Sequence, residues 1–144
     1  TIPRLEAWVG DEGVFYQYSG SVYRASGWPS CLSDLAAKLH QQLNWRPNGA
    51  LLNYYRTGAD SMGWHSDNEQ ELGHQPSIAI VTLGAVRQFQ LRRMADHSDK
   101  LKTDLPSGSL LWMSGAVQQH WQHALPKRAA KSERISITFR EIKE

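Results

Sequence analysis

The segment Arg134–Arg140, with the sequence RISITFR, alternates strictly between polar and apolar side chains. Since successive side chains of a β-strand point to opposite faces, the pattern predicts a strand with one apolar face and one face of arginines and hydroxyls. Two interpretations of the polar face remain open. It is either the solvated face of an edge strand or a binding site for a carboxylate, which arginine can hold through two parallel hydrogen bonds.

Short apolar stretches of similar length precede this segment, separated by glycine, proline and polar turn residues. Many short strands between polar turns predict a β-sandwich or barrel. Residues 31–43 instead carry leucine and alanine at helical spacing, which predicts a helix whose apolar stripe belongs to the core. A mainly β fold with one flanking helix is compatible with a jelly roll. The further predicted strands cover residues 14–18, 50–55, 78–83, 89–91 and 109–113.

The composition is that of an ordinary globular domain. The 144 residues are 40% hydrophobic and 21% charged, with a formal net charge of +2, and a chain of this length fits one domain. Cys31 is the only cysteine, so no internal disulfide can form and a reducing, intracellular compartment is expected. No apolar run approaches the roughly 20 residues of a membrane-spanning helix. The first residues are too polar for a signal peptide.

A histidine and an aspartate two positions apart, His65 and Asp67, form half of a candidate metal site. If this segment is extended, both side chains emerge on one face. A second histidine would complete a two-histidine, one-carboxylate triad, which leaves neighbouring coordination positions open and suits Fe(II) oxygenases. The pair alone is a weak signal. Asn53 and Tyr55, which share a face of a predicted strand, could complete the carboxylate pocket.

Several histidines are candidates for the missing ligand. His120 and His123 are three residues apart, so on a strand they would point to opposite faces and at most one could join an inward triad. His40, His74 and His97 belong to no metal-binding pattern, and we expect them at surface or loop positions.

Two stretches of the chain are rich in lysine and arginine. A positive patch can steer a polyanion toward a protein, but a solvated surface is the simpler interpretation. The first stretch contains Arg87, Arg92, Arg93, Lys100 and Lys102, and the second contains Lys127, Arg128 and Lys131.

Taken in order along the chain, four motifs carry a resemblance to a known family. They are Asn53-x-Tyr55, His65-x-Asp67, the WQHALP segment at 121–126 and the RISITFR segment at 134–140. The ordered set resembles the AlkB family of Fe(II)- and 2-oxoglutarate-dependent nucleic-acid dealkylases. Within that family it is most similar to the members that act on alkylated double-stranded DNA. The resemblance covers nearly the whole chain.

The resemblance implies a double-stranded β-helix of jelly-roll type and a specific set of site residues. It selects His123, directly before Ala-Leu-Pro, to complete the iron triad with His65 and Asp67, and it implies that Arg140 holds the distal carboxylate of 2-oxoglutarate. The implied contacts to 2-oxoglutarate are Asn53, Tyr55, Arg134, Ser136, Thr138 and Arg140. The implied contacts to the nucleotide are Tyr16, Tyr18, Asn68 and Glu69, with Tyr18 stacked on a flipped base opposite His65.

The activity implied by the resemblance is direct reversal of DNA damage. N-alkylated bases such as 1-methyladenine and 3-methylcytosine would be dealkylated oxidatively, with Fe(II), molecular oxygen and decarboxylation of 2-oxoglutarate to succinate. The expected partner is alkylated duplex DNA with a flipped base, and no membrane. We expect a monomer, in the cytoplasm of a bacterium or the nucleus of a eukaryote. Residues 1–144 are expected to form one dioxygenase domain that lacks part of the N-terminal nucleotide-recognition lid.

Two departures from the family pattern leave alternatives open. Ser136 stands where family members often carry asparagine, and Asn68 stands where an acidic residue is common in the close relatives. The second departure bears on base preference. A related dioxygenase acting on RNA, protein or a small molecule is one alternative. A metal-free jelly-roll binding module is another.

Overall fold

The computed structural model describes residues 3–18 and 20–143. Within them the chain forms eleven short β-strands, two α-helices and a 3₁₀ turn at Gln70–Leu72. The helices are α1 (Ser30–Leu43) and α2 (Val117–His120). The strands are β1 (Leu5–Gly10), β2 (Phe15–Tyr18), β3 (Ser21–Arg24), β4 (Gly49–Tyr55), β5 (Met62–His65), β6 (Ile78–Gly84), β7 (Arg87–Arg93), β8 (Lys100–Leu105), β9 (Leu110–Met113), β10 (Trp121–Leu125) and β11 (Arg134–Arg140).

Five strands form the larger antiparallel sheet, in the order β1-β4-β11-β6-β9. Its centre is β11, in which Arg134 lies opposite Tyr55 of β4 and opposite Gly84 of β6. A strand with a hydrogen-bonded neighbour on each side is not an edge strand, so the interpretation of its polar face as a solvated edge is wrong. All four polar side chains of β11 are buried, namely Arg134, Ser136, Thr138 and Arg140.

The smaller sheet, in the order β5-β10-β7-β8, packs against the polar side of β11. Side chains of the two sheets share one core cluster, in which Tyr55 and Ile80 of the larger sheet meet Phe89, Leu105 and Leu125 of the smaller sheet. Two facing antiparallel sheets joined by short turns are the jelly-roll arrangement. The cavity described below lies between these sheets.

Helix α1 covers the other face of the larger sheet. Its Leu32 and Leu39 pack against Ala79, Ile137 and Phe139, so the apolar face of β11 points to the helix and the polar face points between the sheets. The predicted helix is therefore confirmed, with its start one residue earlier than expected. Among the described residues, no helix has the length and apolar character needed to span a membrane.

The six predicted strands are confirmed, and all but the one at 134–140 have shifted ends, whereas β1, β3, β5 and β8 were not predicted. Strand β8 shows why. It pairs only with β7 at the edge of the smaller sheet, and five of its six residues are exposed. Its sequence alternates only weakly, since the polar Thr103 lies between Leu101 and Leu105, and two apolar residues are too few to predict a strand.

Gly58 fastens the segment that precedes β11 to the turn after β4. Its N–H donates to the Ala130 carbonyl, and its own carbonyl accepts from the Arg128 N–H, each at 2.7 Å. A Cβ atom at this position would lie 2.2 Å from the Arg128 carbonyl oxygen. The close approach of the two backbones therefore requires glycine.

Gly58→Ala is expected to lower the free energy of unfolding by about 1–3 kcal/mol, the usual cost of an extra methyl group in packed structure. Gly63→Ala is the matched control, because a Cβ atom at Gly63 meets no atom within 4 Å. Urea denaturation of both variants measures the difference. Equal unfolding free energies would contradict the close approach at Gly58.

Candidate metal and cosubstrate site

Two histidines and one aspartate converge between the sheets. His65 ends β5 and lies directly opposite His123 of β10, with ring centroids 4.2 Å apart. Asp67 follows two residues after the strand. Its Oδ1 lies 3.8 Å from Nε2 of His65, and its Oδ2 lies 3.9 Å from Nε2 of His123. One ligand atom from each residue lies within 4.8 Å of the other two.

The imidazoles of His65 and His123 are both in states that suit metal binding. Nδ1 of His65 lies 2.8 Å from the Gly63 carbonyl oxygen, and because a carbonyl only accepts, this nitrogen carries the proton and Nε2 remains a ligand. His123 is 2% exposed. Burial lowers its pKa to about 3, although Asp67 opposes the shift. Both features suit metal binding, which requires neutral imidazole.

Asp67 supplies the negative charge of the cluster. Burial alone would raise the pKa of its carboxyl, but nearby positive charge, above all that of Arg140, outweighs this effect and brings the pKa to about 2. Nη2 of Arg140 donates to Oδ1 at 3.2 Å. Oδ2 is buried and has no hydrogen-bond donor among the described residues. An ionised oxygen left open beside two imidazole nitrogens fits a bound cation.

One cavity between the two sheets contains this triad. Residues of the larger sheet form its other wall. All six residues expected to contact 2-oxoglutarate line it, namely Asn53, Tyr55, Arg134, Ser136, Thr138 and Arg140. The two motifs that the sequence predicted separately, the metal triad and the arginine stripe, therefore face the same space.

The two arginines of β11 mark opposite ends of this cavity. Six residues apart on one strand, their Cα atoms are separated by about 20 Å. Arg140 contacts Asp67, whereas Nη2 of Arg134 donates to the Thr82 hydroxyl at 3.0 Å. Among the described residues, no carboxylate lies within ion-pair distance of Arg134. Its Nε is buried without a hydrogen-bond acceptor, and burial lowers its pKa. Arg134 therefore offers an unneutralised charge to an anion.

Comparison with known proteins identifies this combination of sites. Residues 4–140 match the model of the 2OG-Fe(II) oxygenase superfamily. The chain belongs to the 2OG-Fe(II) oxygenase superfamily. Fe(II), 2-oxoglutarate and molecular oxygen, the cofactor and cosubstrates predicted from the sequence, are those of this superfamily.

The relatives lie in the AlkB family, as the sequence predicted. The chain is 36% identical to human alpha-ketoglutarate-dependent dioxygenase alkB homolog 3, over 97% of this chain and 52% of the relative. It is 31% identical to human DNA oxidative demethylase ALKBH2, over 99% of this chain and 58% of the relative. The chain thus spans about half the length of the curated relatives it matches. The solved structure of OsALKBH1 is similar in fold, with a TM-score of 0.71 and 18% identity, over 94% of this chain and 77% of that one. The predicted jelly-roll dioxygenase fold is confirmed.

Three arginine contacts, one with Asn53 and two with Tyr55, shape the end of the cavity near Arg134. Nε of Arg4 donates to Oδ1 of Asn53 at 3.0 Å, which leaves the Asn53 amide nitrogen as its donor to a ligand. The guanidinium groups of Arg87 and Arg134 lie 5.6 Å and 5.3 Å from the centre of the Tyr55 ring. Two guanidinium cations therefore lie close to the Tyr55 ring.

Arg87 does not belong to a surface patch, contrary to the solvated interpretation of the first basic stretch. It is 1% exposed, and its Nη2 donates to the carbonyls of Asp60 and Pro126 at 2.9 Å and 2.8 Å. The rest of the stretch lies nearer the surface, where Arg92 stacks on Trp64 with its guanidinium 4.3 Å from the ring centre. The sequence could not distinguish these positions, because burial of Arg87 depends on carbonyls from distant segments.

The four expected nucleotide contacts differ in their settings. Tyr16 has no exposed surface, because its ring stacks on Trp8 and lies under Arg140. Its ring is therefore packed in the core rather than exposed in a nucleotide pocket, and its hydroxyl donates to Glu69. Asn68 is exposed and Glu69 is half-buried. The side chain of Tyr18 lies outside the described part of the structure.

The remaining histidines stand apart from the triad. His120 ends α2 and is exposed. It does not share a strand with His123, because β10 begins at Trp121. His40, His74 and His97 are exposed, as predicted.

Two buried contacts of the triad had no signal in the sequence. Oε1 of Gln118 accepts from the backbone N–H of Asp67 at 2.9 Å, and the Phe89 ring stacks on His123 at 5.3 Å. Neither residue belongs to a motif, because each reaches the site only through the packing of separate segments.

Added Mn(II), a redox-stable substitute for Fe(II), is expected to raise the melting temperature of the wild type. A metal concentration of 100 times its dissociation constant stabilises a protein by about 2.7 kcal/mol. Asp67→Ala and His123→Ala should lose this gain, because each removes a triad ligand. His97→Ala is the control, since His97 is exposed and outside the triad. A full Mn(II) effect in His123→Ala, measured by thermal denaturation, would mean that the ion binds elsewhere.

Proposed function

We propose that this chain dealkylates N-alkylated bases in DNA oxidatively, with decarboxylation of 2-oxoglutarate to succinate. The observation that carries the proposal is one cavity that joins a His-Asp-His cluster to a buried, unneutralised arginine. The names of two relatives, a DNA oxidative demethylase and an alpha-ketoglutarate-dependent dioxygenase, support the same activity.

In this proposal His65, Asp67 and His123 hold the iron. When bound, iron with 2-oxoglutarate and O₂ supplies the oxidation of the N-alkyl carbon, which leaves as an aldehyde while succinate and carbon dioxide form. Arg140 keeps Asp67 ionised and oriented through its contact with Oδ1. Phe89, stacked on His123, keeps water from that side of the ligand.

The proposed direction of 2-oxoglutarate follows from the two arginines. Arg134 binds the distal carboxylate, assisted by the Asn53 amide and the Tyr55 hydroxyl, since this end of the cavity holds the unneutralised cation. Arg140 lies beside the metal ligands, where the keto acid end belongs. This assignment reverses the sequence-based expectation for Arg140. Ser136 and Thr138 lie between the two arginines on the same strand face and offer hydroxyls along the ligand.

The proposed substrate position is the mouth beside His65, whose side chain is 22% exposed. A flipped base would stack there between His65 and Tyr18, and such stacking is worth about 1–3 kcal/mol. Asn68 and Glu69 would contact the polar edge of the base. Tyr16 fixes Glu69 from behind through its hydroxyl, since burial raises its pKa and keeps it a neutral donor.

The setting proposed for this activity is intracellular, with a monomer that acts on duplex DNA. Residues 1–144 would form one catalytic domain. The exposed lysines and arginine of the second basic stretch suit a phosphate backbone. They are Lys127, Arg128 and Lys131.

A turnover assay tests the proposal directly. The protein is incubated with Fe(II), 2-oxoglutarate and a duplex bearing 1-methyladenine. We expect succinate and demethylated DNA, both measured by mass spectrometry. The same lesion in single-stranded DNA and in RNA separates the substrate classes. Succinate without repair of any of the three would remove the nucleic-acid substrate and retain the oxygenase. If metal-loaded protein forms neither succinate nor demethylated DNA, the proposed activity is wrong.

The roles of Arg134 and Arg140 can be distinguished by replacing each with methionine, which has a side chain of similar length. Arg134→Met is expected to raise the dissociation constant of 2-oxoglutarate about 30-fold or more, because truncating one partner of a buried charge pair costs about 2–5 kcal/mol. Its Mn(II) affinity should stay near that of the wild type. Arg140→Met should weaken both ligands, since Arg140 contacts Asp67. Calorimetric titration with each ligand measures both constants, and the opposite pattern would restore Arg140 as the distal anchor.

A further inference from the structure

The three triad residues are not held in place by the same means. His65 and His123 are paired across β5 and β10, so the sheet register fixes their separation. Asp67 lies beyond the end of β5, which stops at His65. Its backbone N–H therefore needs a partner outside the strand ladder, since a buried N–H is almost always paired.

Gln118 of α2 provides that partner. Its Oε1 accepts from the Asp67 N–H at 2.9 Å, and the side chain is 1% exposed. The other end of the amide, Nε2, lies 3.7 Å from Sδ of Met113. The orientation of the amide is fixed by chemistry, because only the oxygen can accept from the Asp67 N–H.

The position of Gln118 in the chain gives this contact a second consequence. Helix α2 leads directly into β10, so Gln118 lies five residues before His123. One short segment therefore carries the third ligand and also fastens the backbone of the carboxylate ligand. A shift of this segment would move both metal ligands together.

We infer that Gln118 is a positioning residue that sets the location of the Asp67 carboxylate relative to His65 and His123, and thereby the metal affinity. The inference rests on the proposed role of the triad in holding iron. Groups that orient metal ligands typically change metal affinity or activity by about 10–100-fold when they are mutated.

Gln118→Met tests the inference, because it keeps the length of the side chain and removes the acceptor. Co(II), whose absorption reports its coordination, is titrated into the metal-free protein. We expect binding weakened by about 10–100-fold. Gln118→Asn, which withdraws the amide by one methylene, should weaken Co(II) similarly, and it supplies a second test that does not depend on the folding of Gln118→Met.

Two further variants separate positioning from packing. Gln118→Glu keeps an oxygen acceptor in either protonation form and should bind Co(II) at least as tightly as the wild type. Gln119→Met is the matched control, since Gln119 lies on the same helix but contacts His74, and it should bind as the wild type does.

The outcomes are distinguishable. A wild-type protein that does not bind Co(II) would overturn the proposed triad itself. Wild-type binding with unchanged affinity in Gln118→Met and Gln118→Asn would overturn only the positioning role. Equal weakening in Gln119→Met, or weakening in Gln118→Glu to the level of Gln118→Met, would overturn it as well, because the loss would then follow disturbance of the helix rather than loss of the acceptor.

Discussion

The burial of cations between the two sheets is the constraint on which the rest of this structure depends. Arg87, Arg134 and Arg140 are each 3% exposed or less, and Arg140 forms an ion pair with Asp67. Removing an unpaired charge from water costs several kcal/mol. Arg87 offsets that cost with backbone carbonyls, whereas Arg134 has only hydroxyl partners and an open Nε. The net positive charge of this interior suits a bound anion. Because the chain belongs to the 2OG-Fe(II) oxygenase superfamily, that anion is 2-oxoglutarate.

The position of β11 makes this burial possible. An ordinary sandwich turns its apolar faces inward, but here the apolar face of the central strand points outward and α1 covers it. The polar face is thereby directed at the smaller sheet, where His123 and Phe89 lie. Helix α1 therefore supports the site. Without it Ile137 and Phe139 would be exposed, and the hydrophobic effect would no longer favour the orientation that directs the arginines of β11 between the sheets.

The sequence predicted the parts of the molecule that local patterns encode. Strict alternation identified β11, helical spacing identified α1, and the His-x-Asp pair identified half of the triad, because each depends on residues close in the chain. The direction of the polar face of β11 was not decided by alternation, which is the same for an edge strand and a central one. Gln118, Phe89, Arg4 and Arg87 were missed as site residues for a related reason. Each acts through a contact with a segment 30 or more residues away, such as Arg4 with Asn53, 49 positions apart.

Arg140 connects the two halves of the proposed site, and this connection explains the burial of Tyr16. On one side its guanidinium donates to Asp67, and on the other it lies 5.0 Å from the centre of the Tyr16 ring, whose hydroxyl holds Glu69. A continuous series of contacts therefore runs from a residue proposed to touch the base to a residue proposed to hold the metal. Side chains in one such network do not contribute independently. Tyr16 has no exposed surface with which to contact a nucleotide. Its position instead connects Glu69, at the proposed substrate edge, to Arg140, which contacts the metal ligand Asp67.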